Sequence, residues 1–176
     1  MFNTFPSSRP DGGGGIKNIQ RFNGSLSTTT ATANIPINAV DLSKSIVIVT
    51  ASSDFSSGGE SSIRAKITSP TNVLVSRQVA TGTNITYSIQ VIEFSSLKSF
   101  QTGDYTLSVQ TNTVTVKAVN TSKSVLFCSW ETTTTSQGAL YVLMNYTLTD
   151  STTLTFSLAA AGLGNRIITW YLVEFQ

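Results

Sequence analysis

The chain has 176 residues, enough for one ordinary domain or for two of half that size, each near the lower limit for a self-sufficient apolar core. Hydrophobic residues make up 40% of it but charged ones only 11%, well under the roughly 25% of ordinary soluble domains, so Ser, Thr and Asn must supply the surface polarity. A net charge of +2 without a basic cluster argues against nucleic acid, the absence of histidine removes the usual general base and metal ligand, and one cysteine cannot close an internal disulfide.

Residues 1–15 carry no basic region followed by an apolar stretch, and no run in the chain approaches the roughly 18 apolar residues of a membrane span. Neither a membrane nor an export route is expected, so the chain is expected to fold in a reducing cytoplasm or to travel on a particle assembled there. The segment ends in Gly12, Gly13, Gly14 and Gly15, a hinge without side chains to pack. The segment reads either as a disordered tail or as an assembly arm ordered against a neighbouring subunit, for which Phe2, Phe5 and Pro6 ahead of the hinge are apolar enough to be the anchors.

From residue 16 onward the period is that of strands. Thr, Val and Ile dominate windows that alternate in polarity, as in Ile85, Tyr87, Ile89 and Val91 or Ile168, Trp170 and Leu172. Strands are expected near 16–22, 25–37, 44–50, 61–68, 72–79 and 84–94, with the same series again from 97 to 175. The continuous apolar runs 46–49, 125–128 and 140–144 read as strands covered on both faces. Helix is expected only as a weak stretch near 158–162, where Ala159, Ala160 and Ala161 are too few to stand alone.

Two polar connections, 52–62 and 129–138, follow corresponding strands and read first as ordinary exposed hairpin connections, with a pair of contact loops as the functional alternative. Their candidate contact residues are Phe55, Gly58 and Gly59 in the first and Trp130, Thr132 and Thr135 in the second. Trp130, at a strand end, is the aromatic expected to be exposed. Trp170 is expected in the core, because its counterpart in the first half is Ile89.

The strand series recurs because the sequence does. Ile16-Lys17-Asn18-Ile19-Gln20 returns as Leu97-Lys98-Ser99-Phe100-Gln101, and Gln90 to Phe94 returns as Tyr171 to Phe175, both displaced by 81 positions. Between them, Ala39 to Ser45 matches Ala118 to Ser124 displaced by 79, so the second copy has lost two residues on the way. Apolar positions and turn chemistry survive, which is what a duplicated folding unit must keep. The expected fold is all-β, a tandem of two similar small sandwich or barrel-like modules, 16–94 and 97–176, joined in direct contact by Ser95-Ser96 behind the flexible arm.

Little in this frame carries chemistry. The glycine run is followed by Ile16-Lys17, not by the Gly-Lys-Ser/Thr of a phosphate loop. Glu93 and Glu174 invite comparison with a glycosidase pair, but residues 81 apart in matching copies are more simply one structural glutamate copied by duplication, paired with a nearby Lys or backbone donor. Lys44 and Lys123 repeat within Ser-Lys-Ser as solvated strand starts, and Cys128, in Val125-Leu126-Phe127-Cys128, is a small buried hydrophobe. No catalytic residue, metal or cofactor is expected.

The frame Ile-Lys-X-Ile-Gln at 16–20, Val-Asp-X-Ser-Lys-Ser at 40–45, Arg-X-X-Ile-Thr at 64–68 and Ile-Gln-Val-Ile-Glu-Phe at 89–94 resembles small β-rich proteins encoded in tailed-phage and prophage structural regions. The second copy follows it more loosely, with Asn145 in place of Arg64 and Phe100 in place of Ile19. The resemblance implies a non-enzymatic virion protein, a capsid decoration or tail-attached subunit assembled in the bacterial cytoplasm. Its implied partners are major capsid or tail proteins and further copies of itself. The competing reading is a receptor- or carbohydrate-binding module at a tail tip, with Trp130, Tyr105 or Trp170 offering a face to a sugar ring.

Overall fold

The computed structural model describes residues 15–53, 62–78, 84–132, 144–159 and 164–176. The expected anchors Phe2, Phe5 and Pro6, hinge residues Gly12, Gly13 and Gly14, and loop residues Phe55, Gly58, Gly59 and Thr135 lie outside that set.

The fold is all-β. Among the described residues twelve strands follow one another: β1 (Ile16–Leu26), β2 (Thr32–Pro36), β3 (Ser45–Ser53), β4 (Arg64–Ser69), β5 (Asn72–Ser76), β6 (Ile85–Phe94), β7 (Ser99–Leu107), β8 (Thr111–Thr115), β9 (Ser124–Thr132), β10 (Met144–Asp150), β11 (Thr153–Leu158) and β12 (Arg166–Glu174). They form four antiparallel three-stranded sheets, β1-β6-β3 and β2-β5-β4 from the first half, β7-β12-β9 and β8-β11-β10 from the second. The strand orders of the halves are the same.

The registers agree residue by residue. Gln20 lies opposite Val91 as Gln101 lies opposite Leu172, and Val47 opposite Val91 as Leu126 opposite Leu172. The displacement is 81 for β1/β7 and β6/β12 but 79 for β3/β9, so the lost residues fall in the connection after the first strand, 27–31 in one half and the shorter 108–110 in the other. Val91 therefore occupies the place of Leu172, as the duplication requires.

In each half the two sheets close on an apolar core built from the alternation. Tyr87, Ile89 and Val91 of β6 meet Ala65, Val73 and Val75 of the facing sheet; in the second half Ile168, Trp170 and Leu172 meet Leu154, Phe156 and Leu158. Pro36 sits in β2, an edge strand, where a missing N–H costs no ladder bond. The first core continues into the second half through Tyr171 and Val173, which are 4% and 0% exposed. Phe94 and Phe175 meet edge-to-face at 5.6 Å.

Several expectations are corrected. The strand expected at 25–37 is broken by a turn in which the Thr30 amide donates to the Ser27 carbonyl at 3.0 Å. The strand expected at 72–79 stops at Ser76, because Arg77 turns inward and its Nε donates to the Thr30 carbonyl at 3.1 Å. Val125 is 43% exposed, since β9 is an edge strand and is not covered on both faces. Leu158 ends β11, while residues 160–162 of the expected helical stretch and residues 140–143 of the expected covered strand lie outside the described residues; among those described the one helical element is a 3-10 turn at Thr121–Lys123. Gly15, assigned to the hinge, is tied to the module, its carbonyl accepting from the Ser95 amide at 2.7 Å and the Ser95 hydroxyl at 2.9 Å. Phe94 is buried, whereas Phe175 is only partly so.

Candidate functional site

The duplicated polar residues hold the modules closed. Lys17 Nζ donates to Glu93 Oε1 at 2.8 Å and Lys98 Nζ to Glu174 Oε1 at 2.8 Å, each tying the start of the first strand to the end of the last. Glu174 also accepts from the Asn120 amide, and the Lys98 and Asn120 donors together hold its carboxyl below the usual range. Gln20 and Gln101 form matching clamps, each side chain donating to and accepting from one backbone unit, Asn38 and Lys117 respectively, at 2.7–2.9 Å. Asp41 and Asn120 cap equivalent turns, accepting from the amides and hydroxyls of Ser43 and Ser122. Each carboxylate is locked to a lysine of its own half, which accounts for both as frame elements.

A second set of polar residues does something else: it joins the halves. Strand β4 crosses the outer face of β9, β12 and β7. Ser129 Oγ bridges the Ala65 amide and carbonyl at 3.1 Å each, and the Tyr171 hydroxyl accepts from the Ile67 amide at 3.2 Å. Burial pushes the Tyr171 hydroxyl up to about 12. Arg64 reaches Glu131 at 3.2 Å and Asp104 at 3.6 Å, and Lys66 pairs with Asp104. Burial raises the Asp104 carboxyl, but hydrogen bonds from Lys66 and Thr169 and the charges of Lys66 and Arg64 outweigh it and hold the group below its usual range. The outward amides of an edge strand, an invitation to stray pairing, are here satisfied by side chains of the next module.

Of the expected contact residues, Thr132 is corrected outright. It lies in β9, is 0% exposed, accepts from Arg166 Nη1 at 2.6 Å and donates its amide to Ser62 Oγ at 3.0 Å. Trp130 is also a β9 residue, half-buried and edge-to-face with Tyr146 at 6.3 Å, so it offers no open aromatic platform. Trp170 is core at 7% exposure, and Tyr105 stacks on Phe156. Cys128 is half-buried, with its thiol pushed up by burial, which keeps it protonated and unreactive.

Sequence reading missed the most regular surface. On the outer face of β8-β11-β10, Thr111, Thr113 and Thr115 lie opposite Ser157, Thr155 and Thr153, and Asn145 and Thr147 extend the first two rows. Thr149 completes the set beside Thr155, their hydroxyls 2.5 Å apart. All nine side chains are exposed or half-exposed, and none is charged. Neighbours stand about 4.8 Å apart across strands and about 6.7 Å along them. The signal was present as threonine at every second position in 111–115 and 147–149.

Among the described residues no group of His, Cys, Asp and Glu is arranged to hold a metal, and no helix is long and apolar enough to cross a membrane. Comparison of the chain with protein-family models, with curated proteins and with solved structures gives no match.

Proposed function

We propose that this protein is a non-enzymatic structural subunit of a tailed-phage particle, attached to the capsid shell as a decoration protein or to the tail. The observation that carries the reading is the uncharged threonine, serine and asparagine lattice on the outer face of β8-β11-β10. Each such hydroxyl contributes little to a contact. A face of nine, presented in register on a rigid sheet and repeated over a symmetric particle, adds these small terms without the salt sensitivity of charged contacts. The duplicated polar residues support the same reading, because they hold the scaffold and leave the outer faces for contact.

Electron microscopy of the intact particle tests this. Density for the β8-β11-β10 face against coat or tail subunits, in a symmetric array, is the expected result. Absence of the protein from purified particles refutes the proposal, and a few copies at a tail tip with that face turned to solvent transfers the assignment to receptor or carbohydrate binding.

A further inference from the structure

The joint between the modules is heterologous: the β4 edge of the first half lies on the outer face of β9, β12 and β7 in the second, and among the described residues no hydrogen bond or ion pair joins the β10 edge to the β1-β6-β3 face in return. Such a joint leaves two complementary surfaces over. One is the β10 edge of the second module, equivalent to β4. The other is the outer face of β1-β6-β3, equivalent to the face that receives β4. We propose that copies of this chain join head to tail, the β10 edge of one seated on the β1-β6-β3 face of the next.

The leftover surfaces match the joint position by position. Ser129, which bridges the Ala65 backbone, corresponds to Thr50, which keeps the bridging hydroxyl. Tyr171, the acceptor for the Ile67 amide, corresponds to Gln90, whose carbonyl accepts equally well. By the shared register the amides awaiting them on β10 are those of Tyr146 and Leu148. Phe127, which packs on the first core, corresponds to Ile48, which is apolar too and only partly buried where it packs on that core.

The charges changed on both sides together. Arg64 and Lys66 of the edge become Asn145 and Thr147, while Glu131 and Asp104 of the face become Ser52 and Asn23. Had only one side lost its charge, the leftover pair would have set an unpaired ion against a neutral group. Instead amide and hydroxyl meet hydroxyl and amide. The ionic version is thereby reserved for the joint within the chain, and the neutral version for the contact between chains, which keeps either from being replaced by the other. Asn23, Thr50 and Ser52 line an open concavity of about 470 Å³ on the receiving face. The joint carries this inference without the particle reading, although Asn145 and Thr147 also belong to the uncharged face of β8-β11-β10.

The experiment uses the purified full chain in sedimentation velocity across a concentration series. Wild type is expected to form an open series of dimer, trimer and longer species. Ser52→Glu and Asn145→Arg, both at exposed positions, are each expected to weaken association about tenfold, since each sets a lone charge in the contact. Mixing the two single variants, or combining both changes in one chain, restores an ion pair like that of Arg64 with Glu131 and returns association to the wild-type level or beyond. Unchanged melting temperatures verify that the variants are folded. A wild type that stays monomeric at its solubility limit, a closed dimer with nothing longer, or single variants that assemble as wild type does would each overturn the proposal. Ser52 lies off the β8-β11-β10 face, so particle incorporation of Ser52→Glu, scored separately, distinguishes failure of this proposal from failure of the particle reading.

Discussion

Glu174 is 2% exposed yet ionised, held by the Lys98 ammonium and the Asn120 amide. Its carboxyl and that of Asp104 lie below their ordinary values, so in acid the unfolded chain binds protons that the folded chain does not. The stabilisation is complete above an ordinary carboxylate value of about 4 and is lost as the pH falls through the folded values. Melting temperature should therefore fall with pH in this range, and Glu174→Gln, less stable at neutral pH, should show a shallower acid limb; parallel limbs in wild type and variant would remove the assignment. Phe94→Ala should cost about 3–5 kcal/mol, as for other large aromatic deletions in a core, and Phe175→Ala less, because Phe175 is only partly buried. Chemical denaturation of the two variants ranks them directly.

At the scale of the strand, two glycines lie under aromatic rings. A Cβ on Gly103 would come within 2.8 Å of the Trp170 ring, and one on Gly24 would meet the Tyr87 ring. Each glycine is the cross-strand partner of the ring that covers it. Gly103→Ala should cost about 1–3 kcal/mol by forcing the indole out of place, seen as a lowered melting temperature with a shift in tryptophan emission; an unchanged spectrum would mean that the ring has room. Strand existence and the equivalence of the two halves were readable because the period of two and the internal repeat reinforce one another. Strand ends were not: the break after Leu26 depends on a Ser27–Thr30 turn, and the end at Ser76 on Arg77 reaching three-dimensional neighbours. Thr132 was misread as a loop residue for the same reason, its place being set by Arg166, 34 residues away. The lysine–glutamate pairs were legible as repeats, while the joint was not, since Arg64, Asp104 and Glu131 are the residues that the duplication does not repeat.

Across the whole molecule the first core runs through Tyr171 and Val173 into the second half, so the two modules share apolar surface as well as ion pairs. Their stabilities are coupled, and the intact chain should unfold in a single transition by calorimetry and by tryptophan fluorescence alike. Arg64 is the keystone of the polar part, its side chain 14% exposed between Asp104 and a Glu131 side chain that is 5% exposed. Removing one partner of so enclosed a pair leaves the other charge desolvated, at a cost of about 3–5 kcal/mol for a buried pair and less here to the extent that water reaches Asp104. Arg64→Ala should lower the melting temperature and split the transition, the second module melting first because its outer face then carries Tyr171, Val173 and an unpaired Glu131. Glu131→Gln in the Arg64→Ala background should recover part of the loss by removing that charge. Additive effects of the two changes, with a single transition throughout, would show that the halves are held by apolar contact alone and that the ion pairs serve only to choose which surfaces meet.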